Sequence, residues 1–290
     1  MSFNFSCTKC GKCCKGGGPA LSIDEIFKYQ DFFISGLIWS AYHVSDGPTT
    51  TILDGSRVDS RALDDHFSTL CGRYFKRDGD KTYPLVYPTV TGYDMAPGRA
   101  CTALNEDNTC GLHADKPAMC RAVPFDPVLP EAMQGFVLRK FKFDCMTEGE
   151  SGAEEIYSEG RITDAGFRDD YGKRLSVMQG DLTVTGVVAH LIKEEQTSLA
   201  PSVPEFLGAT DRGGYIETSM LALLAALMVR GKENRGRVLA YLDAQERLIR
   251  AEIDTAIQEQ NKNYRERTAI MRKYLKVYAG ARDSFLEVVS

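Results

Sequence analysis

The 290-residue chain carries a net charge of −5 and a pI near 5.5, which argues against a general polyanion binder; no nucleic-acid partner is expected. Its 43% hydrophobic and 26% charged content is that of a soluble globular protein with one large or two modest domains. No uninterrupted apolar run reaches the ~18–20 residues of a membrane span. Met1–Ser6 holds no apolar signal core, so a cytoplasmic protein without membrane contact is expected.

The chain opens on Cys7-x-x-Cys10-x-x-Cys13-Cys14. Two-residue spacers let neighbouring thiolates converge on a metal centre. Gly11 can take a positive φ in the tight loop, and Lys9, Lys12 and Lys15 favour the thiolate form. Disulfides are the weaker reading, because a reducing compartment disfavours them and vicinal Cys13 and Cys14 would close a strained ring. Gly16 to Gly18 reads as a flexible exit from the loop.

Ser22-Ile-Asp-Glu25 is a capping box, and Ile23, Ile26, Phe27, Ile34 and Leu37 at helical spacing predict a helix beyond it. Residues 44–61, rich in Gly, Ser, Thr, Asp and Pro, read as an inserted loop. Thr82 to Tyr93 alternates β-formers, but Pro84 and Pro88 exclude a central strand and predict an edge strand or extended loop over the metal region. Cys71, flanked by apolar and aromatic residues, reads as a buried thiol.

Cys101, Cys110 and Cys120 share one compact stretch, with a polar turn at 105–108 and Pro117 placed to start a short helix that carries Cys120. Phe136 to Phe143, leading to Cys145, reads as a strand. The acidic stretch from Glu148 to Gly160 marks a boundary. Beyond it, Ile216, Met220, Leu223, Leu224, Leu227 and Met228 follow one helix face that Gly231 ends. Val238 to Tyr278 then runs about forty residues without proline and predicts a long helix that closes a bundle or mediates self-association. From 231 to 290 there are twelve Lys/Arg and nine Asp/Glu, too even for a nucleic-acid arm.

The first four cysteines with Cys101, Cys110, Cys120 and Cys145 make eight, enough for two four-cysteine sites. Cys7, Cys10 and Cys13 have the spacing of a ferredoxin loop, while Cys14 diverges from Cys13 and is expected to serve a second centre or join the 101–120 segment. A 4Fe–4S cluster is favoured, with structural zinc as the alternative. His113 is expected to pack or hydrogen-bond to a sulfur; Arg121 either donates to a thiolate or pairs with an acidic neighbour such as Asp126. His43, His66 and His190 read as ordinary histidines.

The N-terminal Cys-x-x-Cys-Gly-x-Cys-Cys, followed by Cys101…Asp107-x-x-Cys110-x-Leu112-His113-x-x-Lys116-Pro117-x-x-Cys120-Arg121-x-x-Pro124, resembles the CxxCxxCC zinc- or iron-chelating family, the YkgJ-like cysteine-cluster proteins. That family has Tyr at the position of His113 and Arg at that of Lys116. It also has Pro-Gly after its last cysteine, where Met146 and Thr147 stand here, which makes Cys145 the least secure ligand. The cysteine pattern is also similar to that of flagellin lysine N-methylase. That resemblance implies a redox-capable iron–sulfur cluster working with S-adenosylmethionine.

No dinucleotide G-x-G-x-x-G loop, P-loop or hydrolase constellation is present, so S-adenosylmethionine could bind only near a cluster. The expected architecture is an α-rich α+β protein with a short sheet. Residues 1–147 form a cysteine-built metal region with an inserted segment at about 40–98, and residues 160–290 form a helical bundle. Three functions stay open. They are an iron–sulfur enzyme, such as a methyltransferase acting on a protein or small molecule; an electron-transfer module; and a zinc-stapled interaction protein whose helices hold a partner or a second copy.

Overall fold

A computed structural model describes residues 2–15, 18–51, 57–71, 73–74, 81–92, 101–140, 145–149, 153–194, 199–211, 213–231, 233–260 and 262–287. In chain order it contains β1 (Ser2–Phe5), β2 (Ala20–Leu21), α1 (Ile23–Lys28), β3 (Ser35–Ser45), β4 (Thr49–Thr51), β5 (Arg57–Asp59) and α2 (Ser60–Ser68). Then come β6 (Arg73–Tyr74), β7 (Thr82–Gly92), α3 (Ala118–Ala122), α4 (Gln134–Lys140), β8 (Met146–Glu148), β9 (Glu154–Ser158) and β10 (Arg161–Ile162). The remainder is α5 (Ala165–Lys193), α6 (Val203–Thr210), β11 (Ile216–Thr218), α7 (Leu221–Arg230), α8 (Asn234–Glu259) and α9 (Lys262–Glu287). The protein is α-rich α+β, as expected.

Two sheets organise the chain. One runs β10-β9-β1-β8, the other β11-β3-β7-β2 with β6 also on β7; β4 and β5 form a separate hairpin. The largest core lies where Trp39, Val86 and Val90 of the second sheet meet Val188 and Ile192 of α5, Leu223 and Leu224 of α7, and Tyr241 and Ile249 of α8. Burial of these apolar faces, at roughly 25 cal/mol per Å², is the main stabilising force. Polar anchors fix the geometry. Buried Gln245 on α8 accepts from Ser35 N at 2.9 Å and donates to Gln30 O and Phe33 O, while Trp39 Nε1 donates to Thr218 Oγ1 at 2.8 Å. A second core gathers Val44, Leu63, Phe67 and Cys71, and a third gathers Phe3, Phe125, Leu138 and Ile156.

Several expectations change in three dimensions. Helix α1 stops at Lys28, and Ile34 and Leu37 belong to the entry and body of β3 instead. The stretch 44–61 supplies the β4–β5 hairpin and the start of α2 around residues 52–56, which lie outside the described set. β7 is an interior strand. It pairs along its whole length with β3, and on its other side with β6 at Val86 and Leu85 and with β2 at Thr91 and Val90. Pro84 and Pro88 fall at positions those short strands leave uncovered among the described residues, so the missing N–H groups break no ladder there.

Phe136 lies in helix α4 rather than a strand; residues 141–144 lie outside the described set. Pro130 and a 3-10 turn at Glu131–Met133 lead into that helix, and Gln134 locks its start through bonds to Asp126 and Leu129. Ile216 belongs to strand β11, so the apolar helix begins at Leu221. The forty-residue run breaks after Gln260, whose φ of 52° is left-handed, into antiparallel α8 and α9 clipped by Arg282 to Asp243 and Glu246. Ile257 is 55% exposed and lies off the buried face. The acidic stretch 148–160 contributes the end of β8 and all of β9, paired with β1.

By length and composition α5 could cross a bilayer (mean hydropathy 1.3). Its Val184, Val188, Ala189 and Ile192 are buried in the main core.

Candidate metal centre

The first cysteine loop is shaped by two left-handed residues, Lys9 (φ 54°) and Gly11 (φ 68°). Gly11 is held to glycine twice over, because a Cβ there would lie 3.1 Å from Asn108 Oδ1 as well as strain the backbone. A 3-10 turn over Lys12–Cys14 follows, closed by Cys14 N to Gly11 O at 2.9 Å. At the loop's exit, Gly16 and Gly17 lie outside the described residues. Gly18 abuts Gly92 so closely that a Cβ would meet its carbonyl oxygen at 1.6 Å, which is packing rather than flexibility.

Two hydrogen bonds bring the distant cysteines to this loop. Cys101 N donates to Cys14 O at 2.7 Å, and Ser6 N donates to Cys145 O at 2.9 Å. The second continues the β1–β8 pairing, in which Phe5 opposes Met146, so Cys145 is carried to the N-terminal thiols by a sheet. The 101–110 segment closes on itself through Gly111 N to Ala103 O and Asn105 N to Thr109 O, with Asn108 left-handed at φ 62°. Asp107 Oδ1 secures the turn by accepting from Thr109 N and Oγ1, which holds its carboxyl below the usual range. Pro117 caps α3, which presents Cys120 as expected.

The thiols fall into two groups by their electrostatic neighbours. Burial raises Cys145, and the charges of Cys10, Cys7 and Cys13 push it further in the same direction. The hydrogen bond with Cys13 raises Cys14 first, then burial, then the charges of Cys13, Cys101 and Cys110. Burial raises Cys120 to about 12, with Cys101 and Cys110 as the next causes. An outer quartet of Cys7, Cys10, Cys13 and Cys145 therefore stands beside an inner quartet of Cys14, Cys101, Cys110 and Cys120. They touch where Cys13 Sγ and Cys14 Sγ lie 3.9 Å apart.

That contact splits the vicinal pair. Cys13 is lowered to about 6, chiefly by its hydrogen bond with the Cys14 sulfur, with Lys116 adding to the effect. Cys10 is lowered by the backbone N–H of Lys12 and the Thr8 hydroxyl. Cys7 and Cys13 are exposed. A cavity of about 360 Å³ opens between the groups, walled by Phe5, Val123, Lys9, Lys116 and His113 and by six of the thiols: Cys7, Cys10, Cys13, Cys14, Cys110 and Cys145. Among the described residues, no three His, Cys, Asp or Glu side chains stand at single-ion ligand geometry.

Seven of the eight cysteines lie in a stretch that matches a known protein family. Residues 6–142 match the CxxCxxCC family, described as "Putative zinc- or iron-chelating domain". The CxxCxxCC match spans slightly under half of the chain and includes seven of the eight cysteines, leaving Cys145 three residues beyond its edge. No curated protein and no solved structure matched the chain. The donor set fits the CxxCxxCC description, since thiolates are the soft ligands that zinc and iron–sulfur clusters both take.

The remaining residues settle individually. Cys71 is buried among Leu63, Phe67 and Leu70, and burial alone raises its thiol. His113 lines the cavity wall. Arg121 pairs with an acidic neighbour as expected, and that neighbour is Asp170, at 3.8 Å. His43 and His66 bond to the backbone oxygens of Thr210 and Pro127, and His190 faces Glu194 on its own helix. Sequence reasoning missed Lys116 as a positive neighbour of Cys13, although its position between two cysteines was a usable signal. It also missed a second bond made by Glu25, for which the sequence carries no signal.

Proposed function

We propose that the chain is an iron–sulfur protein whose outer quartet, Cys7, Cys10, Cys13 and Cys145, and inner quartet, Cys14, Cys101, Cys110 and Cys120, each bind a metal centre. The CxxCxxCC match supports the coarser statement, zinc or iron chelation. The observation that favours a polynuclear cluster is the 360 Å³ cavity between the quartets. All four outer thiols, with Cys14 and Cys110, wall that space, as a cluster of several irons would need.

When bound, an iron–sulfur cluster supplies one-electron transfer. The chain's own residues would hold it with thiolates, offset their charge with Lys9 and Lys116, and leave the Cys7 and Cys13 side open to solvent. That opening suits electron exchange or a co-substrate. Methyl transfer from S-adenosylmethionine to a protein or small molecule is the enzymatic form of this reading, and it rests on the resemblance to flagellin lysine N-methylase. The half-buried inner quartet favours a second reading for that set, a zinc staple that joins the loop regions while α8 and α9 meet a partner.

Purification without oxygen, followed by metal and acid-labile sulfide analysis, tests the choice. A brown protein containing iron and sulfide, bleached by dithionite, is expected. A shift of the reduced EPR spectrum by S-adenosylmethionine would support methyl transfer, and its absence would leave electron transfer. A colourless protein with stoichiometric zinc would refute the iron–sulfur reading.

A further inference from the structure

Helix α1 contributes no thiol, yet it grips the chain that carries Cys120. Glu25 Oε2 accepts from Ser22 N at 2.9 Å, the reciprocal half of the capping box. Its other oxygen, Oε1, accepts from Ala118 N at 2.6 Å, on the first residue of α3 and two before Cys120. Alongside it, the Tyr29 hydroxyl donates to Asp115 O and the Lys28 ammonium pairs with the Asp115 carboxylate. α1 is itself fixed on α8. Arg237 bonds Asp24 at 2.8 Å and lies 4.3 Å over the Phe27 ring, which packs edge-on against Tyr241.

α3 needs such external support. Five residues cannot sustain a helix alone, and Pro117 offers its start no side-chain cap. The charge of Glu25 works against a role as an electrostatic partner of the thiolates. A carboxylate beside thiolates repels them, and Glu25 is one of the groups that disfavour the Cys120 thiolate. What it offers there is geometry, two oxygens aimed at two N–H groups on different segments.

We propose that Glu25 is the positioning residue of the inner quartet: bridging the cap of α1 to Ala118 N, it sets where α3 presents Cys120 to Cys14, Cys101 and Cys110. This role rests on the metal-binding reading above. Ser22→Ala separates it from simple helix capping, since that change removes the hydroxyl cap of α1 but leaves both carboxylate bonds in place.

The test uses the full chain purified without oxygen, exposed to iodoacetamide and read cysteine by cysteine by mass spectrometry. In Glu25→Ala, Cys120 and its three partners should alkylate about tenfold faster or more, the scale of one lost charge-assisted hydrogen bond. Cys7, Cys10 and Cys13 should stay as protected as in the unmodified protein. Glu25→Gln keeps one acceptor for Ala118 N and should rescue part of the protection; should Glu25→Ala not fold, inner-selective exposure in Glu25→Gln supports the same role. Protection of Cys120 unchanged in both Glu25 variants would overturn the proposal, as would equal exposure in Ser22→Ala. Cysteines that alkylate alike before and after metal removal in the unmodified protein would refute the metal reading itself, and this role with it.

Discussion

Truncation of Leu224 to alanine tests whether the helical layer supports the metal region. Leu224 is fully buried on α7, within the core that also receives the half-buried Cys101, Cys110 and Leu112. A buried Leu→Ala change costs about 2–5 kcal/mol, and a site with no solvent access belongs in the upper half of that range. Against a total stability of roughly 5–15 kcal/mol, the loss is large but survivable. At about 2–4 °C per kcal/mol for a chain of this size, the melting midpoint should fall by about 7–20 °C. Thermal unfolding followed by circular dichroism, with inner-quartet thiols monitored by alkylation at each temperature, should show both transitions moving down together. Glu259→Ala, on the exposed side of α8, serves as the control and should shift the midpoint by no more than about 1–2 °C. A midpoint within that range for Leu224→Ala would refute the burial argument. A lowered midpoint with inner-quartet protection lost only at the original temperature would refute the mechanical link to the site.

Two further outcomes follow from the arrangement. Cys10→Ser and Cys120→Ser should each lose metal from their own quartet, seen as lower metal per chain, whereas Cys71→Ser should keep full occupancy and lose only about 1–3 kcal/mol if its buried hydroxyl finds no partner. Full metal in both ligand variants would remove the assignment. Asp181, half-buried against α1 and accepting from Ile23 N, is raised to about 6, mainly by partial burial. Its raised value means the fold favours the protonated acid. Stability from this group is therefore present below the ordinary carboxylate range, is lost as pH rises toward about 6, and stays absent above it. Asp181→Asn keeps an acceptor for Ile23 N and should raise the melting midpoint at pH 7.5, by up to about 3 kcal/mol in stability, with little change at pH 4. An equal shift at both pH values would contradict that account.

Local chemistry made some of this molecule legible from sequence. The Ser22–Glu25 capping box, the left-handed Gly11 and the Pro117 start of α3 each depend on residues within a few positions of one another. The sequence also offered eight thiols as candidate ligands, because thiol chemistry and two-residue spacing are properties of the chain itself. Short apolar runs were less secure. Phe136-Val-Leu fits a strand or a helix equally by pattern, and only Gln134's bonds to Asp126 and Leu129 decide for the helix.

Tertiary structure alone decided the rest. Whether β7 tolerates Pro84 and Pro88 depends on how far β2 and β6 reach along it, which is a property of neighbouring strands. The run from Val238 to Tyr278 holds no proline or glycine at its break near Gln260, so its division into α8 and α9 is set by packing back onto the same core. The sorting of thiols into quartets rests on β1 pairing with β8, which carries Cys145 to Ser6, and on Cys101 bonding to Cys14. A sequence states which side chains can bind a metal. Which of them meet is fixed by hydrogen bonds between residues about a hundred positions apart, and spacing along the chain carries no trace of those.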